Sequence, residues 1–330
     1  MNTKRWVAVG VSVFLFMVSL MASGESRGLF SNRWDVGTGE VVVKSGDHQN
    51  RIAVLEVNGA IADTGAGFLW NEGYNHTQFL SNLDKIKEDP TIRGIILKVN
   101  SPGGGVYESA QIRDKMLELR GETELPIYVS MGNMAASGGY YISADADKIF
   151  AGQETITGSI GVVMSSLNFA GLMEQYGITD NTIKSGEYKD IGSISRAMTE
   201  DEQNVLQGLI DNSYDRFVDV IVKGRGMSEE RVKQLADGRI YDGMQAKEVG
   251  LIDEIGYFDD VVKALETDLA LDTPEVFAYK HGNRSFFDML DYRMTSFIKK
   301  EANPLEKIGS MIHLYDNGNT PRLMYLYGGF

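Results

Sequence analysis

In the stretch MGNMAASGGYYIS, residues 131–143, Ser137 stands between two alanines and two glycines. An apolar strand-like run precedes it and a helix-like run follows it. Small neighbours let a backbone turn sharply, so that a hydroxyl projects into a cleft as a nucleophile. The pattern Ala135-x-Ser137-x-Gly139 differs from G-x-S-x-G only at its first glycine. A serine at a helix N-terminus also sets the next amide, that of Gly138, beside any oxyanion formed on the attacked carbonyl. The plain alternative is an N-cap serine followed by flexible glycines.

A second segment could complete such a site. NSPGGG, residues 100–105, ends a buried apolar run and opens a helix. Gly103, Gly104 and Gly105 let the backbone approach a ligand closely, and the N–H of Gly104 could be a second oxyanion donor. A phosphate cradle is the other use of such a loop. However, the Gly-Lys-Ser/Thr of a Walker loop is missing, and the spacing fails the dinucleotide fingerprint. A simple strand-to-helix turn also fits.

What is missing is a base. The four histidines are His48, His76, His281 and His313, so none lies between residues 76 and 281. A neutral lysine can replace histidine. An amine of ordinary pKa about 10.4 must then be held in a dry, apolar setting, where burial lowers the value by up to about 3–5 units. Lys184 and Lys189, in IKSGEYKDIGS, are the candidates downstream, and composition does not choose between them.

The composition agrees with an enzyme of this kind. The chain has 330 residues, 43 % apolar and 24 % charged, enough for a sizeable core. A net charge of −14 argues against nucleic acid as the main partner. With no cysteine and no paired histidines, a thiolate metal site, a cysteine nucleophile and a zinc hydrolase are all disfavoured. No cofactor and no metal is expected.

At the N-terminus, Lys4 and Arg5 precede an apolar run from Trp6 to Ala22. As a helix this run spans roughly 25 Å, and Ser23 and Gly24 extend it towards a bilayer core. The leading positive charges predict a cytoplasmic N-terminus and an exported body. Ala22-Ser23-Gly24 is also a passable cleavage site for a secretory signal, but the run is long for that. The expectation is a single-pass cell-membrane protein with its catalytic part on the extracytoplasmic side.

The elements that must position the candidates follow from periodicity. Strands are expected at 51–61, 92–101, 125–132 and 148–152, with helices at 75–89 and 106–120 between them. That alternation predicts a mainly parallel sheet wound with helices. Further strands are expected at 162–169 and 181–193. A long helix is expected after Thr199 to about Lys223, and a short one over 228–236. The domain plan is an anchor or signal at 1–24, a linker at 25–50, the catalytic body at 51–270, and a helical extension with an apolar tail at 271–330. The tail PRLMYLYGGF could enter an active-site groove as a strand-like ligand, its own or a neighbour's.

VNSPGGG, MAASGGYYIS, ITGSIGVV and IKSGEYKDIGS, in this order, closely resemble the signal peptide peptidase A family, and GRIYDGMQAKEVGLIDEIG resembles its C-terminal signature. The resemblance spans roughly residues 50–265 and is greatest for the short Bacillus-type form. It implies an α/β fold of the Clp protease/crotonase type and a Ser-Lys serine endopeptidase. Ser137 corresponds to the nucleophile, Lys189 to the general base, Ser159 to the residue orienting the lysine, and Gly104 and Gly138 to the oxyanion donors. Gly103 and Gly105 fall on the substrate-binding loop. It also implies hydrophobic peptides such as cleaved signal peptides as substrates, and a homo-octamer. Whether a dyad is completed within one copy or across two stays open. A crotonase-like acyl-CoA enzyme and a tethered scaffold with a decayed dyad are the rival readings.

Overall fold

The computed structural model describes residues 39–63, 74–279 and 323–328. The N-terminal apolar run and the amphipathic segment 285–300 lie outside them. Among the described residues, no helix is long and apolar enough to cross a membrane.

The strands are β1 (Glu40–Lys44), β2 (Asp47–Asn58), β3 (Ile92–Ser101), β4 (Gly103–Gly105), β5 (Ile127–Ala136), β6 (Lys148–Ala151), β7 (Ile156–Gly158), β8 (Ile240–Tyr241), β9 (Glu254–Ile255), β10 (Pro274–Tyr279) and β11 (Met324–Leu326). The helices are α1 (His76–Glu88), α2 (Val106–Thr123), α3 (Gly138–Tyr141), α4 (Ala170–Gln175), α5 (Glu200–Arg225), α6 (Glu229–Leu235), α7 (Gly243–Glu248) and α8 (Phe258–Asp268). The central sheet runs β1-β10-β2-β3-β5-β6-β9, with β7 and β8 branching from β5. Its interior pairs are parallel, and β1 closes one edge antiparallel to β10.

Both faces of this sheet are covered, which is why β3 reads as a nearly unbroken apolar run. On one face Leu55, Val57, Leu97 and Val99 meet Phe79, Leu83 and Ile86 of α1, Ile112 and Met116 of α2, and Phe217 and Ile221 of α5. On the other, Ile52, Val54, Ile96 and Phe150 pack against Val261 and Leu265 of α8. α1 starts where Asn75 caps it, its side chain accepting from the amide of Gln78 at 2.9 Å.

The wound, mainly parallel sheet is therefore present, with three differences. β1 and the start of β2 occupy residues assigned to the linker. β10 lies in the main sheet beyond residue 270, so the body takes in at least Pro274–Tyr279. The strands expected at 162–169 and 181–193 do not form. Residues 163–199 are instead an arm holding only α4 and a 3₁₀ turn at Glu187–Asp190. None of residues 161–201 is buried, so no packed face selects a strand there.

Candidate active site

β5 ends at Ala136 and α3 begins at Gly138, so Ser137 alone makes the turn. Its backbone sits at φ 53°, ψ −114°, a conformation that costs about 1–3 kcal/mol for a residue with a side chain. The surroundings enforce it. The Ser137 amide donates to the Gly158 carbonyl (2.8 Å), and its carbonyl accepts from the Tyr141 amide (2.8 Å). α3 is anchored beneath by the Tyr140 hydroxyl, which donates to the Leu251 carbonyl at 2.8 Å. Ser137 is 1 % exposed.

The glycine loop lies against this turn. Gly103 has φ +104°, and a Cβ there would sit 1.9 Å from the carbonyl oxygen of Tyr325 and 2.7 Å from the nitrogen of Gly138. Only glycine fits that approach. A Cβ on Gly138 would fall 3.1 Å from the Gly104 nitrogen. The loop is held from behind by Ile61, whose amide donates to Gly103 O (2.8 Å) and whose carbonyl accepts from Gly105 N (2.8 Å). The Ser101 hydroxyl accepts from Gly103 N at 3.1 Å. Ile61 and Ser101 are positioning groups that spacing alone did not reveal, since Ile61 is remote in sequence and reads as an ordinary strand end.

An extended strand crosses the site. β11 pairs antiparallel with β4, Tyr325 opposite Gly104. Val106 N donates to Leu323 O and Tyr327 N to Pro102 O, so by the alternation of an antiparallel ladder Tyr325 and Gly104 form a hydrogen-bonded pair. The carbonyl of Tyr325 thus takes the Gly104 N–H, on the side where the Gly138 amide also lies. The other edge of β11 pairs with Val163, which exchanges two 3.0 Å bonds with Met324. The Tyr325 side chain is fully buried. It stacks on Tyr141 (centroids 4.9 Å apart) and tilts against Phe217 (4.7 Å), and its hydroxyl donates to the Ser213 carbonyl at 2.9 Å. Burial pushes that phenol's pKa well up, so it stays a donor.

Ser159 follows Gly158 directly, and so lies one residue from the carbonyl that holds Ser137. It adopts φ 50°, donates its amide to Arg239 O (2.8 Å) and is nearly buried. Lys189 is different. It is on the exposed 3₁₀ turn of the arm, and among the described residues its ammonium makes no hydrogen bond or ion pair, nor does the Ser137 hydroxyl. Lys184 is engaged elsewhere, bonding Asp190 (2.7 Å) and the Glu187 carbonyl (2.9 Å). The single chain therefore gathers Ser137, Gly103, Gly104, Gly105, Gly138 and Ser159, but does not bring Lys189 onto the nucleophile. No group of side chains suited to a metal ion occurs among the described residues.

A strained serine closing a wound sheet, two glycine amides beside it and an extended strand laid across it define an acyl-transfer site of the serine-peptidase class. Comparison with known proteins gives the family. The model for peptidase family S49 matches residues 120–272. A chain of Enterococcus faecium named as a signal peptide peptidase SppA is 42 % identical over the whole of both chains. Protease 4 of Haemophilus influenzae is 33 % identical over 84 % of this chain and 46 % of its own length. A chloroplastic serine protease SPPA of Arabidopsis thaliana is 31 % identical over 63 % of this chain and 31 % of its own. The chain belongs to peptidase family S49 and is a serine protease.

Proposed function

We propose that this protein is a membrane-tethered endopeptidase that degrades cleaved signal peptides and other hydrophobic peptides outside the cytoplasm. Ser137 is the nucleophile and Lys189 the general base, and Lys189 reaches Ser137 from a neighbouring copy in a homo-oligomer, an octamer as the family resemblance implies. The observation that carries the reading is the Tyr325 carbonyl, held by the Gly104 amide next to Gly138 and Ser137 as a scissile carbonyl would be. The tail is then a substrate mimic. The name of the Enterococcus relative supports signal peptides as substrates, and the apolar run Trp6–Ala22 supports the tether.

In this mechanism a neutral Lys189 removes the Ser137 proton as Oγ attacks the peptide carbonyl. The amides of Gly104 and Gly138 hold the oxyanion, an interaction whose loss commonly costs about 10²–10³ in rate. The lysine then protonates the leaving amine, and water cleaves the acyl-enzyme to return the serine. Ser159 orients the amine. Completion across copies is supported by the arm that carries Lys189. Leu167, Leu172, Tyr176, Ile178 and Ile183 are all exposed on it, Ile183 at 99 %. Apolar groups in such number call for a covering surface, and that cover supplies the dry setting a neutral amine requires.

The test is hydrolysis of a hydrophobic peptide by wild type, Ser137→Ala, Lys189→Ala and a reassembled equal mixture of the two variants. Both variants are expected to be inactive and the mixture to recover about a quarter of the activity, since half of the serines then meet half of the lysines. An inactive mixture would assign the dyad to one copy. Full activity in Lys189→Ala would end the Ser-Lys reading.

A further inference from the structure

Lacking any buried residue, the arm is held by polar contacts, and one side chain makes more of them than any other. Arg196 lies at the neck where the arm returns to α5. There the Phe169 amide donates to Ile194 O (2.7 Å), and the Asn168 side chain to the Arg196 carbonyl (3.2 Å). On one side its guanidinium grips Asp190, the residue after Lys189, through Nε to Oδ2 (3.0 Å), Nη2 to Oδ1 (2.7 Å) and Nη2 to the backbone carbonyl (3.2 Å). On the other it grips Glu202 through Nη1 to Oε2 (2.8 Å) and a shorter bond from Nη2 to Oε1.

Glu202 is a fixed anchor. It is buried and forms a capping box with Thr199, whose amide it accepts at 2.9 Å and whose hydroxyl accepts its own amide at 3.2 Å. The helix it starts is locked into the core further along by Phe217 and Ile221. The Arg196 guanidinium holds both carboxylates well below their ordinary range, Glu202 at about 2. Planar, two-point pairing of this kind fixes orientation as well as distance, which an ammonium does not do.

We infer that Arg196 is the positioning residue for the general base: it transfers the fixed frame of α5 to the turn that bears Lys189, and so sets where that amine stands relative to the serine it serves. Core → Glu202 → Arg196 → Asp190 → Lys189 is a continuous series of packing, hydrogen bonds and one peptide link. This inference rests on the Ser-Lys reading above. It adds that the amine's placement depends on an ion cluster remote from the reacting atoms. A displacement of about 1 Å at a catalytic group can cost about 10²-fold in rate.

The experiment measures kcat, KM and the pH profile of kcat on a hydrophobic peptide for wild type, Arg196→Gln, Arg196→Lys, Asp190→Asn and Lys189→Ala, with thermal melting and oligomeric state followed in parallel. Arg196→Gln is expected to lower kcat about tenfold or more with KM little changed. Its acid limb should move to higher pH, because a mispositioned amine is better solvated and needs a higher pH to lose its proton. Arg196→Lys should recover only part of the loss, and Asp190→Asn should reproduce it. A wild-type kcat and pH profile in Arg196→Gln, with Lys189→Ala inert, overturns the inference while leaving the dyad intact. If Lys189→Ala is active, the dyad reading fails and the inference with it. If Arg196→Gln does not fold, Asp190→Asn decides: an unmoved kcat and acid limb in that variant overturns the inference.

Discussion

The pocket around Tyr325 fixes what side chain should precede a cleaved bond. If β11 mimics substrate, the ring between Tyr141 and Phe217 is the residue before the scissile bond, and cleavage falls between Tyr325 and Leu326. The perturbation is made in the substrate, so the enzyme stays intact: the peptide PRLMYLYGGF, and versions with Phe or Ala in place of its first tyrosine. Burying an aromatic ring fully contributes about 1.5–3 kcal/mol. Contact with two further rings adds about 0.5–1.5 kcal/mol for each pair. The bond to the Ser213 carbonyl adds about 1 kcal/mol. Removing the ring should cost about 3.5–7 kcal/mol, or roughly 10²–10⁵ in kcat/KM at tenfold per 1.4 kcal/mol. Removing only the hydroxyl should cost about fivefold, because the helix amide four residues on remains available to the Ser213 carbonyl. The enzyme's own tail competes equally with all three peptides, so the ratios survive it. The assay is mass-resolved hydrolysis, with Ser137→Ala as blank. If the alanine peptide is cut at the same bond within about threefold of the parent, the Tyr141–Phe217 pocket does not select substrate. A cut at another bond would mean that the strand register does not represent a bound substrate.

Two more outcomes follow from the same geometry. Gly103→Ala puts a methyl 1.9 Å from the Tyr325 carbonyl oxygen at φ +104°, so peptidase activity should fall by more than about 10²-fold and the melting temperature should drop, as an activity assay and a thermal scan would register. The second concerns pH. Glu202 has a folded pKa of about 2 against an ordinary 4.5, and Asp190 is lowered as well. A depressed carboxylate stabilises fully above its unfolded value and loses that contribution as pH falls towards its folded value. Protection of residues 163–199 against acid protease should therefore hold from neutral pH down to about 4.5 and fall below it, and flat protection down to pH about 2.5 would contradict the assignment.

Much of the site was readable in the sequence because its parts are backbone devices. Small residues around Ser137 and three successive glycines after a buried strand have few other uses when each must admit a close approach, and the two segments meet at Gly138. The wound sheet was readable because strands covered on both faces are written as apolar runs. The arm was not readable, and its failure has one cause. Ile183, Tyr188 and Ile191 are strand-forming residue types, but such residues specify a strand only where a face is available to bury them. Within one chain that face is missing. The aromatic pocket was also hidden, because Tyr141, Phe217 and Tyr325 lie on three separate elements and each alone reads as core.

The contrast between Ser137 and Lys189 carries the proposed chemistry furthest. The serine has its strained turn, the two glycine amides and the β11 strand beside it all within one chain, nearly closed to water. The lysine has none of the dry surroundings an amine needs to act as a base at neutral pH: it stands between Tyr188 and Asp190 on an exposed turn, and the arm also carries exposed apolar groups such as Ile178 and Ile183. As proposed, a second copy covering the arm would remove both lacks together: burial of those apolar groups would drive the contact, and the same burial would exclude water from the amine. On the proposed reading, assembly and activation are then one event. A lone copy then holds a formed cleft with no base to run it.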